Sequence, residues 1–310
     1  MNSRCLLFSL LFLVSTILLA QVEEEIEIKT ETGTLKGTLL VPDGQGEFPV
    51  VLIIAGSGPT DRNGNNAMMT NNSLKLIAEG LSKHDIASFR FDKRGIGASA
   101  SAMTKEEDLR FETYIDDVEL WTRQIKNDSR FNDLIILGHS EGSLIGMVAA
   151  QRTGADKFIS VAGVGRPAAD ILREQLSTQP VAVTEMTDPI LKTLEEGQTV
   201  DSVNPMLNAL FRPSVQPYLI SWFKYNPEKE IAKLDCPVLV LQGTTDIQVK
   251  VKDAEMLVGA NPEAEKVIID GMNHVLKEAP IDRMENFKTY NDPSLPLMEG
   301  LMETIVGFIK

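Results

Sequence analysis

The sequence predicts an α/β fold, a mostly parallel, doubly wound sheet with helices on both faces. Three observations predict it. Continuous apolar runs at 49–55, 134–137 and 237–241 have the composition of strands buried on both faces. Segments with helical spacing separate the strands, as at Leu74, Ile77, Ala78 and Leu81. Finally, Ser57, Asp92, Ser140, Asp246 and His274 each follow a predicted strand end, the edge where such sheets bind ligands.

Residues 1–20 read as a cleaved signal peptide, and so as a secreted or periplasmic protein. Arg4 supplies the positive start, Cys5 to Leu19 is apolar, and Ala20 precedes the polar Gln21-Val22-Glu23. Residues 21–310 then read as one domain. Strands at 25–30 and 35–41, joined at Thr32-Gly33, make an antiparallel edge hairpin. The strand at 49–55 closes on Gly56-Ser57-Gly58-Pro59, and a helix follows at 73–83. A strand at 86–91 ends in Asp92-Lys93-Arg94-Gly95, and a helix spans 113–126.

The next strand runs into Gly138-His139-Ser140-Glu141-Gly142, and Leu144 to Ala150 continues as a helix. A strand covers 158–162. From about 166 to 230, helical pieces broken by Pro180, Pro189, Pro205, Pro213 and Pro217 read as an insertion. A strand at 237–243, a helix at 252–258, a strand at 265–269 and a helix at 297–309 complete the chain.

The formal charge of −14 argues against nucleic acid as a partner and against docking on anionic lipid. Stable membrane anchoring is not expected once the signal is removed. Cys236 is then the lone cysteine, read as a packed core residue that cannot form an intramolecular disulfide.

Strand, G-x-S-x-G and helix together make the context of a nucleophile elbow, with Ser140 raised on a tight turn. A serine needs a base. Of three histidines, His84 ends a helix and His139 lies inside the elbow pointing away from Ser140, which leaves His274. Asp246, after the preceding strand, is the favoured carboxylate for His274, with Asp92 and Asp270 as rivals. The N–H groups of Glu141 and Ser57 are the expected oxyanion donors.

Five stretches carry a family resemblance: 55–62 (AGSGPTDR), 92–99 (DKRGIGAS), 138–142, 243–246 (GTTD) and 271–274 (GMNH). Through them the chain resembles the α/β-hydrolase superfamily, in its serine-aminopeptidase-like and carboxylesterase branch. The resemblance implies an eight-stranded sheet, a lid formed by the insertion at 166–230, and no metal or organic cofactor. It implies a serine hydrolase that cleaves carboxylic esters of small molecules through Ser140, Asp246 and His274. An aminopeptidase-like peptidase and a non-catalytic binding protein on the same fold stay open as alternatives.

The chain departs from many members at Ala55, where they carry histidine. Asp92 and Arg94 match a structural turn of the family. Arg62 is read either as a partner of Asp61 or as a clamp for a substrate carboxylate. Phe211, Tyr218, Trp222 and Phe223 are read as lid core or as the lining of an acyl pocket.

Overall fold

The computed structural model describes residues 23–310, so the expected signal segment and Cys5 lie outside the described residues. Eight strands form one sheet: β1 (Glu23–Thr30), β2 (Gly33–Leu40), β3 (Phe48–Ile54), β4 (Ala87–Phe91), β5 (Phe131–His139), β6 (Lys157–Val161), β7 (Val238–Gly243) and β8 (Glu265–Ile269). Their spatial order is β1-β2-β4-β3-β5-β6-β7-β8. β1 pairs antiparallel with β2, and β2 antiparallel with β4; every later pairing is parallel. The carboxyl ends of β3 to β8 therefore share one edge.

Strand alternation divides the core between two faces. Val51, Ile53 and Ala55 meet α1 (Ser73–Ser82), through Leu74 and Ile77, and the last helix, through Ile305 and Ile309. Val50, Leu52 and Ile54 belong to the opposite cluster with α2 (Phe111–Lys126) and α3 (Glu141–Thr153). Trp121 of α2 is fully buried there, 4.7 Å from the ring of Phe89.

Five helices lie between β6 and β7: α4 (Ala168–Leu176), α5 (Val181–Glu195), α6 (Asn208–Phe211), α7 (Gln216–Trp222) and α8 (Pro227–Ile231). The prolines there start elements more than they break them. Pro205 and Pro213 open short 3-10 turns and Pro217 sits in the first turn of α7. These are positions where a missing N–H costs little. Pro189 departs from expectation, since it lies inside α5. Phe111 anchors this segment to α2, stacking on Trp222 at 6.0 Å while its N–H donates to Ser221 Oγ at 2.7 Å.

The chain ends with α9 (Val251–Ala260), α10 (Arg283–Lys288) and α11 (Leu301–Ile309). The last helix starts four residues later than the periodicity predicts. Gly300 precedes it at φ 83°, and Met298 is held back by its N–H bond to the Leu276 carbonyl at 2.8 Å.

Candidate active site

Ser140 joins the end of β5 to the start of α3 at φ 55° and ψ −121°. A non-glycine residue in that region carries roughly 1–3 kcal/mol of strain, which the surroundings must hold. The two elbow glycines explain how. A Cβ on Gly138 would lie 2.3 Å from the Gly142 carbonyl oxygen, and one on Gly142 would lie 2.4 Å from that of Ile54. Strand, turn and helix pass too closely for any side chain at either position. The Ser140 N–H is fixed by the Val161 carbonyl at 3.0 Å.

Asp246 and His274 leave the ends of β7 and β8 and meet, with His274 Nδ1 2.8 Å from Asp246 Oδ2. Both are buried. Asp246 Oδ1 also accepts the N–H groups of Gln248 at 2.7 Å and Val249 at 2.9 Å, and Oδ2 accepts Gln242 Nε2 at 3.1 Å. Burial pushes the Asp246 carboxyl up, but His274 and the Val249 and Gln248 N–H donors outweigh it, so the group lies below the ordinary aspartate value. Neither rival carboxylate bonds to His274. Asp270 is exposed and accepts Thr244 Oγ1 at 2.7 Å. Asp92 takes the Arg62 and Ala98 N–H groups at 2.8 Å each.

His139 does more than face away from Ser140. Its Nε2 lies 2.8 Å from the His274 carbonyl oxygen, and the two rings are 4.8 Å apart. A carbonyl only accepts, so Nε2 carries the proton. Burial, reinforced by the neighbouring His274, pushes the His139 pKa down to about 3 and keeps the ring neutral. The residue before Ser140 thus ties β5 to the loop bearing His274.

Arg62 requires a correction. It pairs neither with Asp61 nor with open space: its guanidinium contacts Asp92 at 3.0 Å and Glu25 at 2.9 Å. Asp61 instead accepts the N–H groups of Asn63 and Asn65. Arg94 is held by Asp117 and by the Ala102 carbonyl, within the structural turn expected for this stretch.

Ser57, Ser140 and Glu141 line one cavity of about 590 Å³. Glu141 is the first residue of α3, where backbone N–H groups have no helical acceptor. Ser57 is exposed, in the loop that follows β3. The walls are mainly apolar: Met103 and Leu109 on one side, and Ile171, Leu172, Leu219 and Trp222 from the segment between β6 and β7 on the other. Phe211 is fully buried, so it packs the segment itself. The cavity's charged side chains are already partnered, Arg212 by Glu106 and Lys93 by Glu141. Nothing in the local sequence marks Lys93 or the Glu141 side chain, whose partners Gly56 and Tyr218 lie 37 and 77 positions away.

The fold has many solved counterparts. Est1E from Butyrivibrio proteoclasticus, solved with ferulic acid bound, superposes with a TM-score of 0.62 at 18% identity, over 92% of this chain and 96% of that one. GrgF from Penicillium sp. sh18, described as an alpha/beta hydrolase, superposes at 0.58 and 18% identity, over 93% of this chain and 98% of its own. The chain has the α/β-hydrolase fold. Residues 69–206 match the family model described as serine aminopeptidase, S33. The chain is also 27% identical over 262 residues to esterase EstD of Thermotoga maritima, covering 81% of this chain. The chain spans about 61% of that relative's length.

Proposed function

We propose that this α/β hydrolase is a serine esterase that cleaves carboxylic esters of small, uncharged molecules. Ser140 itself carries the reading: a strained serine at a helix start, lining a mainly apolar cavity, on the sheet edge that also bears a buried histidine-aspartate pair. The names of its relatives, esterase EstD and Est1E, support the same chemistry.

In this mechanism Asp246 accepts the Nδ1–H of His274, leaving Nε2 as the base. Ser140 Oγ attacks the ester carbonyl as His274 takes its proton, and the N–H groups of Ser57 and Glu141 hold the oxyanion. His274 returns the proton to the departing alcohol, and the acyl group stays on Ser140. His274 then removes a proton from water, which attacks the acyl-enzyme, and passes that proton to Ser140 Oγ as the acid leaves. The N-terminal sequence supports export, so the site would work in a secreted or periplasmic protein.

The family match keeps a peptidase in view. Capture of a free amine needs a free carboxylate in the cavity. Glu106 and Glu141 are both paired, and Glu185, Asp188, Glu195, Glu196 and Asp201 are exposed and do not line it. Esters are therefore favoured.

The test is hydrolysis of p-nitrophenyl acetate, butyrate and octanoate by the mature chain and by Ser140→Ala, beside aminoacyl p-nitroanilides. The wild type is expected to cleave the esters, with Ser140→Ala lower by about 10⁵-fold or more in kcat. Faster cleavage of the anilides than of every ester would replace the esterase with a peptidase.

A further inference from the structure

Lys93, Glu141 and Tyr218 come from the loop after β4, the first residue of α3 and α7. They meet below the elbow, and all three are buried. Lys93 Nζ donates to the Gly56 carbonyl at 2.5 Å and to Glu141 Oε2 at 3.1 Å. The Tyr218 hydroxyl donates to Glu141 Oε1 at 2.5 Å. The ammonium also sits 5.0 Å from the centre of the Tyr114 ring. A lysine and a glutamate taken out of water lose much hydration, and an apolar pair would often be as stable. Stability alone therefore does not account for them.

The bond to Gly56 indicates what they do. The Gly56 carbonyl and the Ser57 N–H belong to one trans peptide group, so they point in opposite directions. Holding the carbonyl against Lys93 turns the Ser57 N–H the other way. Ser57 lines the cavity that Ser140 lines.

We propose that Lys93 is a positioning residue: by holding the Gly56 carbonyl it aims the Ser57 N–H at the substrate's developing oxyanion, and Glu141 keeps the lysine in place. This inference rests on the serine-esterase reading. The pairing has a second effect. An unpaired Glu141 carboxylate close to a developing oxyanion would raise the barrier, and the Lys93 charge cancels it. Tyr218, itself in the cavity wall, links this cluster to the insertion.

The test uses Lys93→Met and the double variant Lys93→Met/Glu141→Gln, in which no single charge is left buried. Each is assayed with p-nitrophenyl butyrate and with an alkyl trifluoromethyl ketone, whose adduct with serine carries an oxyanion. Folding is checked by cooperative melting in circular dichroism. The folded double variant is expected to lose about 10²-fold in kcat, the scale of one misplaced oxyanion donor. KM should move by less than about threefold, and ketone affinity should fall in step with kcat/KM, as for a group acting only in the transition state. A purely structural role would lower the melting temperature without linking those two losses.

A folded double variant with wild-type kcat, or with lowered kcat and unchanged ketone affinity, overturns the inference. A crystal structure of the wild-type ketone adduct tests it without any variant. The adduct oxygen should accept the Ser57 N–H while Lys93 stays on the Gly56 carbonyl, and an oxygen pointing elsewhere overturns it. Ser140→Ala separates the two levels. Full hydrolysis by Ser140→Ala would sink the esterase reading and this inference with it. Loss in Ser140→Ala with none in the double variant would sink only the role of Lys93.

Discussion

His139 illustrates how one residue in the elbow ties structure to acidity. Its ordinary pKa is 6.5, and burial brings it to about 3 in the fold. Between those values the unfolded chain binds a proton that the folded chain refuses. Stability is therefore fully present above pH 6.5 and is lost as pH falls toward 3. The group alone would remove roughly 3–5 kcal/mol over that window. Urea unfolding at pH 7 and pH 4 measures this. His139→Gln keeps an N–H donor for the His274 carbonyl but has no proton to bind. Its stability should fall less between the two pH values than that of the wild type. Equal losses would mean that His139 is not held neutral. The sequence marked His139 only as a histidine not aimed at Ser140, because its partner is a backbone carbonyl 135 positions away.

Three consecutive glutamates of β1 clamp arginines from other elements: Glu23 holds Arg90, Glu24 holds Arg130 and Glu25 holds Arg62. Arg62 also neutralises the buried Asp92, which in turn accepts the Ala98 N–H beside the Lys93 loop. Arg62→Met should cost about 3 kcal/mol, the scale of a broken buried ion pair. It should leave KM for neutral esters unchanged, because the guanidinium faces protein rather than the cavity. A raised KM at unchanged stability would restore the substrate-clamp role. The sequence could not reveal this arrangement. Sequence adjacency suggested Asp61 as the partner, whereas strand pairing brings in Glu25 from 37 positions away and Asp92 from 30. The same limit hid Lys93, Glu141 and Tyr218, which span 48 and 77 positions. By contrast, the strand ends that carry Ser140, Asp246 and His274, and the contact between the last two, were legible. Each residue follows a strand that its own composition identifies, and parallel pairing delivers all such ends to one edge.

Across the whole molecule, the sheet edge carries Ser140, and in the proposed esterase the segment between β6 and β7 shapes what reaches it. The cavity of about 590 Å³ runs between them, with Ser140 and Ser57 on the sheet side and Ile171, Leu172, Leu219 and Trp222 on the other. Its volume was not legible in the sequence, since it depends on how five short helices pack and not on any one period. A division of this kind makes chain-length preference separable from catalysis. Leu172 is half-buried and contributes to the wall without touching the elbow's hydrogen bonds, so a larger ring there fills space and leaves Ser140 undisturbed. Leu172→Trp should lower kcat/KM for p-nitrophenyl octanoate by about tenfold or more, the scale at which a pocket rejects extra methylenes. Turnover of the acetate should change little, because two carbons need little of the cavity. The ratio of the two rates is the readout, and it cancels differences in active-site concentration. If both esters slow equally, the wall acts on the catalytic residues and not on the acyl chain. If neither slows, the acyl group lies elsewhere, and the alcohol occupies the apolar cavity instead.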